Sequence, residues 1–168
     1  MKEIGYQLSV KPSATKQVVA GAAGVVQGSW VPAAVFHTAS FLGSVTANVQ
    51  AAQSVELTFE FEQAAADTGA GAVNLPSSRA TLIDSAGVMT PVQPEMTNGA
   101  ITGYKLAIAG DGTEKVYLVK VDWTYMTFQT VDAYVSAKVT PVFTAANTDA
   151  VLVTPIWAMG PAETGHQA

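Results

Sequence analysis

The sequence contains no cysteine among its 168 residues. This absence excludes disulfide bridges, thiolate zinc sites and a cysteine nucleophile, and it leaves the redox compartment open. A chain of this length suits one domain, and it can bury a sizeable core without covalent or metal links.

Charged residues are also scarce. They make up 12% of the chain, about half of the roughly 25% that is usual in soluble domains. The exterior must then consist of uncharged polar side chains or be covered by neighbouring subunits, and interface cores are depleted of charge in this way. The formal net charge is -5, which gives no electrostatic reason to bind nucleic acid or an anionic membrane. Composition therefore favours a protein that works within an assembly.

No segment repeats apolar residues at helical spacing, and none has the length and polarity of a membrane span. The most apolar stretch, VVAGAAGVVQGSWVPAAVF, is interrupted by Gln27, Ser29 and Pro32, whereas a spanning helix needs about 20 mainly apolar residues. The N-terminal residues alternate as in a strand and do not form the apolar run of a signal peptide. We therefore expect no membrane partner, and a place in the cytoplasm or in a particle assembled there.

Alternation of apolar and polar residues is abundant instead. The segment SVELTFEFEQA places apolar residues at every second position, and residues 131–140 repeat the pattern. Asn98-Gly99 and Asp111-Gly112 are turn signals, and the second predicts a hairpin between TGYKLAIAG and EKVYLVKVDWTYMTF. The second of those two segments carries apolar residues on both of its faces, which again favours a homo-oligomer.

Many short strands with glycine-containing turns predict an all-β fold. We expect an antiparallel β-sandwich or jelly-roll-like domain with an extended N-terminal arm. Residues 1–29 are predicted to form an N-terminal strand and arm, 30–159 the β-sandwich domain, and 160–168 a polar C-terminal tail. Valines among the Gly- and Ala-rich residues of the arm favour a segment that orders against a neighbour over a solvated tail.

Few residues suggest a catalytic or metal-binding site. Glu60 and Glu62 share one strand face about 7 Å apart, which is near the carboxylate separation of inverting glycosidases. Such catalytic pairs flank a cleft from different elements, so we interpret these two as a solvated strand face. His37 and His166 stand alone, without further ligands at metal-binding spacing. We predict no catalytic residue, no cofactor and no metal site.

The aromatic residues leave two interpretations open. Trp30, Trp123 and Trp157 form a sugar-stacking platform if they are exposed and coplanar. In β-sandwiches, aromatic side chains are more often core or interface anchors, and we favour that interpretation.

Four segments between residues 30 and 142, PAAVFHTASF, SVELTFEFEQA, ADTGAGAVNL and GTEKVYLVKVDW, together resemble small structural proteins of tailed bacteriophages. These proteins include head decoration, or cement, proteins, which sit on the outer capsid lattice, commonly as trimers, and clamp adjacent capsomers. The resemblance implies a non-enzymatic virion structural protein on the capsid surface, assembled in the host cytoplasm. Its implied partners are the major capsid protein and itself, as a homotrimer. No site residue is carried over from it.

Two alternatives remain beside capsid decoration. One is a tail-tube, neck or fibre subunit, and the other is a surface carbohydrate-binding β-sandwich module.

The ADTGAGAV loop has its own expected role. Asp67 is expected to accept hydrogen bonds from the loop backbone. Gly69 and Gly71 are expected to permit tight turns or a close backbone approach, and the small side chains would let another subunit come near.

Overall fold

The computed structural model describes residues 9–12, 17–20, 25–33, 36–75, 79–84, 86–123, 134–145 and 149–161. None of these residues is helical, which confirms the all-β prediction. They form these strands: β1 (Ser9–Pro12), β2 (Gln17–Ala20), β3 (Val26–Gln27), β4 (Val31–Pro32), β5 (Phe36–Asn48), β6 (Ser54–Ala64), β7 (Val73–Asn74), β8 (Arg79–Asp84), β9 (Met89–Pro91), β10 (Gln93–Thr97), β11 (Ala100–Ala109), β12 (Glu114–Trp123), β13 (Tyr134–Phe143) and β14 (Ala150–Pro161).

The strands build two antiparallel sheets. In the β5 sheet the order is β1-β14-β5-β12-β8-β9, with β2 also paired to β14. In the β6 sheet the order is β10-β11-β6-β13-β3, with β4 also paired to β13 and β7 to β6. Both sheets are named here after their long central strand.

The inner faces of the two sheets pack against each other around a cluster of aromatic rings. Phe41 and Trp157 come from the β5 sheet, and Phe61 and Tyr104 come from the β6 sheet. The Phe41 and Phe61 ring centroids lie 4.9 Å apart across the sheets in an edge-on arrangement. This arrangement suits the aromatic quadrupole and adds to the burial of large apolar area. The predicted β-sandwich is therefore confirmed.

Strand β6 follows its sequence pattern from Ser54 to Gln63. Its buried residues alternate with half-buried ones, because successive side chains of a strand point to opposite faces. Val55, Leu57, Phe59 and Phe61 all belong to the core.

Of the two predicted turns, one is a hairpin and one is not. Asn98-Gly99 joins the paired strands β10 and β11, and both of its residues have positive φ, 50° and 80°. The hairpin predicted at Asp111-Gly112 is wrong, because β11 belongs to the β6 sheet and β12 to the β5 sheet. The backbone N–H groups of Gly110 and Gly112 donate instead to the carbonyls of Gln53 and Val49, in the β5–β6 connection. The β5–β6 and β11–β12 connections, which both cross between the sheets, are thus hydrogen-bonded to each other at one end of the sandwich.

The described parts of the N-terminal segment lie along the sheet edges. Strands β2 and β1 pair with the first and second halves of β14, while β3 and β4 pair with β13. The Gly28 N–H donates to the Ala137 carbonyl at 2.8 Å, and the buried Ser136 hydroxyl donates to the Gly28 carbonyl at 2.8 Å. Strand β14 extends to Pro161, so it includes Gly160 and Pro161 of the segment predicted as a tail.

Candidate functional site: two contrasting outer faces

The outer face of the β6 sheet carries ion pairs, and we call it the charged face. It presents six charged side chains that are neither buried nor fully solvated: Glu56, Glu60, Glu62, Glu95, Lys105 and Lys138. They come from β6, β10, β11 and β13, and those of β6, β11 and β13 lie on positions that alternate with buried residues.

Lys138 lies between the two carboxylates that the sequence singled out. Its Nζ is 3.1 Å from Oε2 of Glu60 and 3.2 Å from Oε1 of Glu62. Burial lowers the pKa of Lys138, but the hydrogen bonds to Glu60 and Glu62 outweigh it, so its pKa lies above 10.5. The two carboxylates therefore share one cation on a flat sheet. They do not face each other across a cleft, as the pair of a glycosidase does.

Lys105 makes the second ion-pair cluster on this face. Its Nζ is 2.9 Å from Glu95 and 3.0 Å from Glu56. Hydrogen bonds to Glu95 and Glu56 raise the pKa of Lys105 above 10.5. The cluster joins three adjacent strands, and only the strand register, which the sequence does not show, brings these charges together.

The outer face of the β5 sheet is different, and we call it the aliphatic face. Cross-strand register arranges its side chains in rows. One row contains Leu152, Thr46 and Val116; the next contains Thr154, Ser44, Leu118, Ile83 and Met89; a third contains Ile156, Leu42 and Lys120. Val116 is 43% exposed and Met89 is 68% exposed, while the leucines and isoleucines are half-buried beside their cross-strand neighbours.

Charge is sparse on the aliphatic face. Among the side chains that the structure describes there, Glu114 and Lys120 are the charged ones, and both belong to β12. The contrast in strand composition is visible in the sequence, since β12 and β14 carry apolar residues on both faces. Apolar residues on both faces of β12 predicted an interface, whereas the matching outward residues Leu152 and Ile156 of β14 and Leu42 of β5 were not predicted.

The loop after β6 closes onto a tryptophan. Gly69 has φ 74°, and a Cβ placed on it would lie 2.6 Å from the Trp30 ring. Gly71 has φ 69° with open space around it. The loop contains the backbone bonds Gly69 N–H to Ala66 O and Ala72 N–H to Gly69 O. The expected close approach at Gly69 is thus made by a side chain of the same chain, while Asp67 is exposed.

The three tryptophans do not share one described surface. Trp157 is fully buried in the aromatic cluster, as the core interpretation predicted, and Trp30 is half-buried against Gly69. Trp123 ends β12 and His37 lies in β5, but their side chains fall outside the described part of the structure, as does all of His166.

The described residues contain no group of three or more His, Cys, Asp or Glu side chains arranged to hold a metal ion. They also contain no helix with the length and apolarity that crossing a membrane requires.

Comparison with known proteins adds no relative: no protein-family model, no curated protein and no solved structure matches this chain.

Proposed function

We propose that this protein is a non-enzymatic structural subunit of a virion, and that it decorates the outer lattice of a bacteriophage head. The observation that carries its structural role is the aliphatic face, which combines half-buried leucines and isoleucines with the exposed Val116 and Met89. Contiguous exposed apolar surface on a soluble domain marks a protein–protein contact. Its assignment to a phage head rests on the sequence resemblance across residues 30–142.

The mechanism is thermodynamic. A protein that binds the assembled shell but not the dissociated capsid subunits stabilises the shell by mass action. Binding as an oligomer strengthens this effect, because attachment of one copy raises the effective concentration of the others. The homotrimer implied by the resemblance remains a prediction.

A carbohydrate-binding module and a hydrolase receive less support from the described surfaces. A carbohydrate-binding module needs exposed, coplanar aromatic side chains, but Trp157 is buried and Trp30 packs on Gly69. A hydrolase needs Glu60 and Glu62 directed at a substrate, but both are paired with Lys138. A tail-tube, neck or fibre subunit would use the same aliphatic face, so only the position in the particle distinguishes it.

Immunogold labelling tests this proposal. Antibodies against the purified protein are applied to virus particles produced by cells that carry its gene. Label on the head surface is the expected result. Label confined to the tail or fibres would transfer the protein to the alternative class. Particles that contain none of the protein would contradict a virion role.

A further inference from the structure

The aliphatic face is large enough for a stable interface. The seven strands of the β5 sheet are between 3 and 13 residues long. Together they contain about fifty residues, and each residue covers about 3.3 Å along its strand and about 4.8 Å across to the next strand. The resulting area is on the order of 800 Å², which matches the roughly 800 Å² per partner that a standard stable interface buries.

The positions of the two described charged side chains on this face determine how a second copy of the chain could be oriented against it. Glu114 begins β12 at one margin of the face, and Lys120 lies six positions further along the same strand face. At the rise of a β-strand, these positions are about 20 Å apart. Between them lie Val116 and Leu118, which are aliphatic.

We propose that the aliphatic face is covered by the same face of a second copy of this chain. The two β12 strands cross in opposite directions, about a twofold axis that passes near Tyr117. Such an axis places Val116 of each copy against Leu118 of the other, at the centre. It also places Glu114 of each copy opposite Lys120 of the other, so each interface contains two such ion pairs.

This antiparallel arrangement follows from electrostatics. A face shared by copies whose β12 strands run in the same direction would bring Glu114 near Glu114 and Lys120 near Lys120, and juxtaposed like charges cost binding free energy. A lysine ammonium has three donors, so Lys120 can bind a carboxylate of the second copy in addition to its contacts within its own chain. An isologous contact of this kind closes on itself and gives a dimer.

The inference rests on the part of the proposed function that assigns the chain a structural role through protein contacts. It needs no virus particle. It predicts two copies in solution where the phage resemblance implies three, so mass measurement separates the two predictions.

The first experiment is sedimentation of the full-length protein over a range of concentrations. We expect a species of about twice the 17.4 kDa chain mass. The Leu118→Asp variant should sediment as a monomer with an unchanged far-UV spectrum, since a carboxylate at the centre of the interface would be buried without a partner. A wild-type protein that stays monomeric at high concentration, or that forms trimers, overturns the proposal.

The second experiment is a charge swap. Lys120→Glu and Glu114→Lys should each raise the dimer Kd at least about tenfold, because each replaces two attractions by two repulsions. The double variant E114K/K120E should return the Kd to within about twofold of the wild-type value. Glu114 is exposed at a strand end, so its variant keeps the test valid if Lys120→Glu folds poorly.

The charged face offers a matched control. Glu56 and Lys105 form a 3.0 Å ion pair there, and E56K/K105E is the same exchange of charge on the opposite side of the molecule. We expect it to leave the Kd unchanged. Failure of E114K/K120E to restore pairing, or equal weakening by both double variants, would overturn the antiparallel arrangement. Neither result would bear on immunogold labelling of particles, so failure of this inference is distinguishable from failure of the proposed function.

Discussion

The two sheets of this sandwich present similar faces to the core and different faces to the outside. Each inner face alternates its buried residues into one aromatic cluster that contains Phe41, Phe61 and Trp157. On the outside, the β6 sheet pairs four carboxylates with two lysines, whereas the β5 sheet presents rows in which leucine, isoleucine and valine stand among threonine and serine. Burial of apolar side chains is common to the inner faces of both sheets, whereas the outer faces differ in charge, and this difference is the basis of the proposed interface.

A substitution in the core that both sheets share should cause the largest loss in the free energy of unfolding. Phe61 contacts Phe41, Trp157 and Tyr104 across both sheets, so Phe61→Ala removes packing that both sheets use. We expect a loss of about 3–5 kcal/mol in the free energy of unfolding, as is usual for Phe→Ala in a core. Denaturant unfolding, followed by tryptophan fluorescence and by circular dichroism, measures it. Val142→Ala, at a 58% exposed position, is the control. A loss below about 1 kcal/mol for Phe61→Ala would mean that the sheets do not share this core.

The aliphatic face should make thermal stability depend on protein concentration. If folding is linked to pairing, the melting temperature of the wild-type protein rises with concentration, since pairing stabilises the folded state by mass action. The variant L42S/I156S removes a cross-strand aliphatic pair of this face and should abolish that dependence. Calorimetry at several concentrations tests this expectation. A melting temperature that is independent of concentration in the wild-type protein would contradict it.

The charged face should tolerate loss of its carboxylates. Glu60 and Glu62 are partly exposed and share Lys138, and such pairs contribute little because water screens them. We expect E60A/E62A to cost about 1 kcal/mol or less and to leave the dimer mass unchanged. Thr58→Ala, on the same strand face, provides the reference for a neutral truncation. A cost above about 2 kcal/mol would show that these carboxylates are essential to the fold.

The same lysines should give a small loss of stability in alkali. The pKa values of Lys105 and Lys138 are raised above 10.5 in the folded protein by their glutamate partners. The folded state therefore holds these protons more tightly than the unfolded state. The stabilisation is fully present below pH 10.5 and is lost as the pH rises through the folded values. Unfolding between pH 9 and pH 12, compared with a K105M/K138M variant that should show a weaker decline, measures it. An equal decline in both proteins would contradict the assignment.

The sequence predicted the inner side of the molecule well and the outer side in part. Alternation from Val55 to Phe61 was sufficient to assign the buried face of β6, because burial on one face imposes period two. The Asp111-Gly112 turn was misassigned as a hairpin because local turn residues do not show whether the chain returns to the same sheet. The pairing of Lys138 with Glu60 and Glu62 depends on the register between β6 and β13, which arises from the whole fold.

Prediction of the aliphatic face from the sequence was limited in the same way. Apolar residues on both faces of β12 indicated an interface, but the adjacency of Leu118, Ile83 and Met89 follows from the order of β12, β8 and β9 in the sheet. These residues come from three separated segments, and no local pattern connects them. The composition of each strand was therefore predictable, while the surface that the strands form together was not.

Selective thiol labelling can separate an outer face that is an interface from an outer face that is in contact with solvent. Because the chain has no cysteine, Leu118→Cys and Thr58→Cys each introduce a single thiol, at half-buried outward positions of β12 and β6 respectively. We expect the Thr58→Cys thiol to be alkylated at the same rate at all protein concentrations. We expect the Leu118→Cys thiol to be protected at high concentration and to become reactive on dilution. Equal, concentration-independent labelling of both thiols in the folded protein would show that the aliphatic face is not an interface.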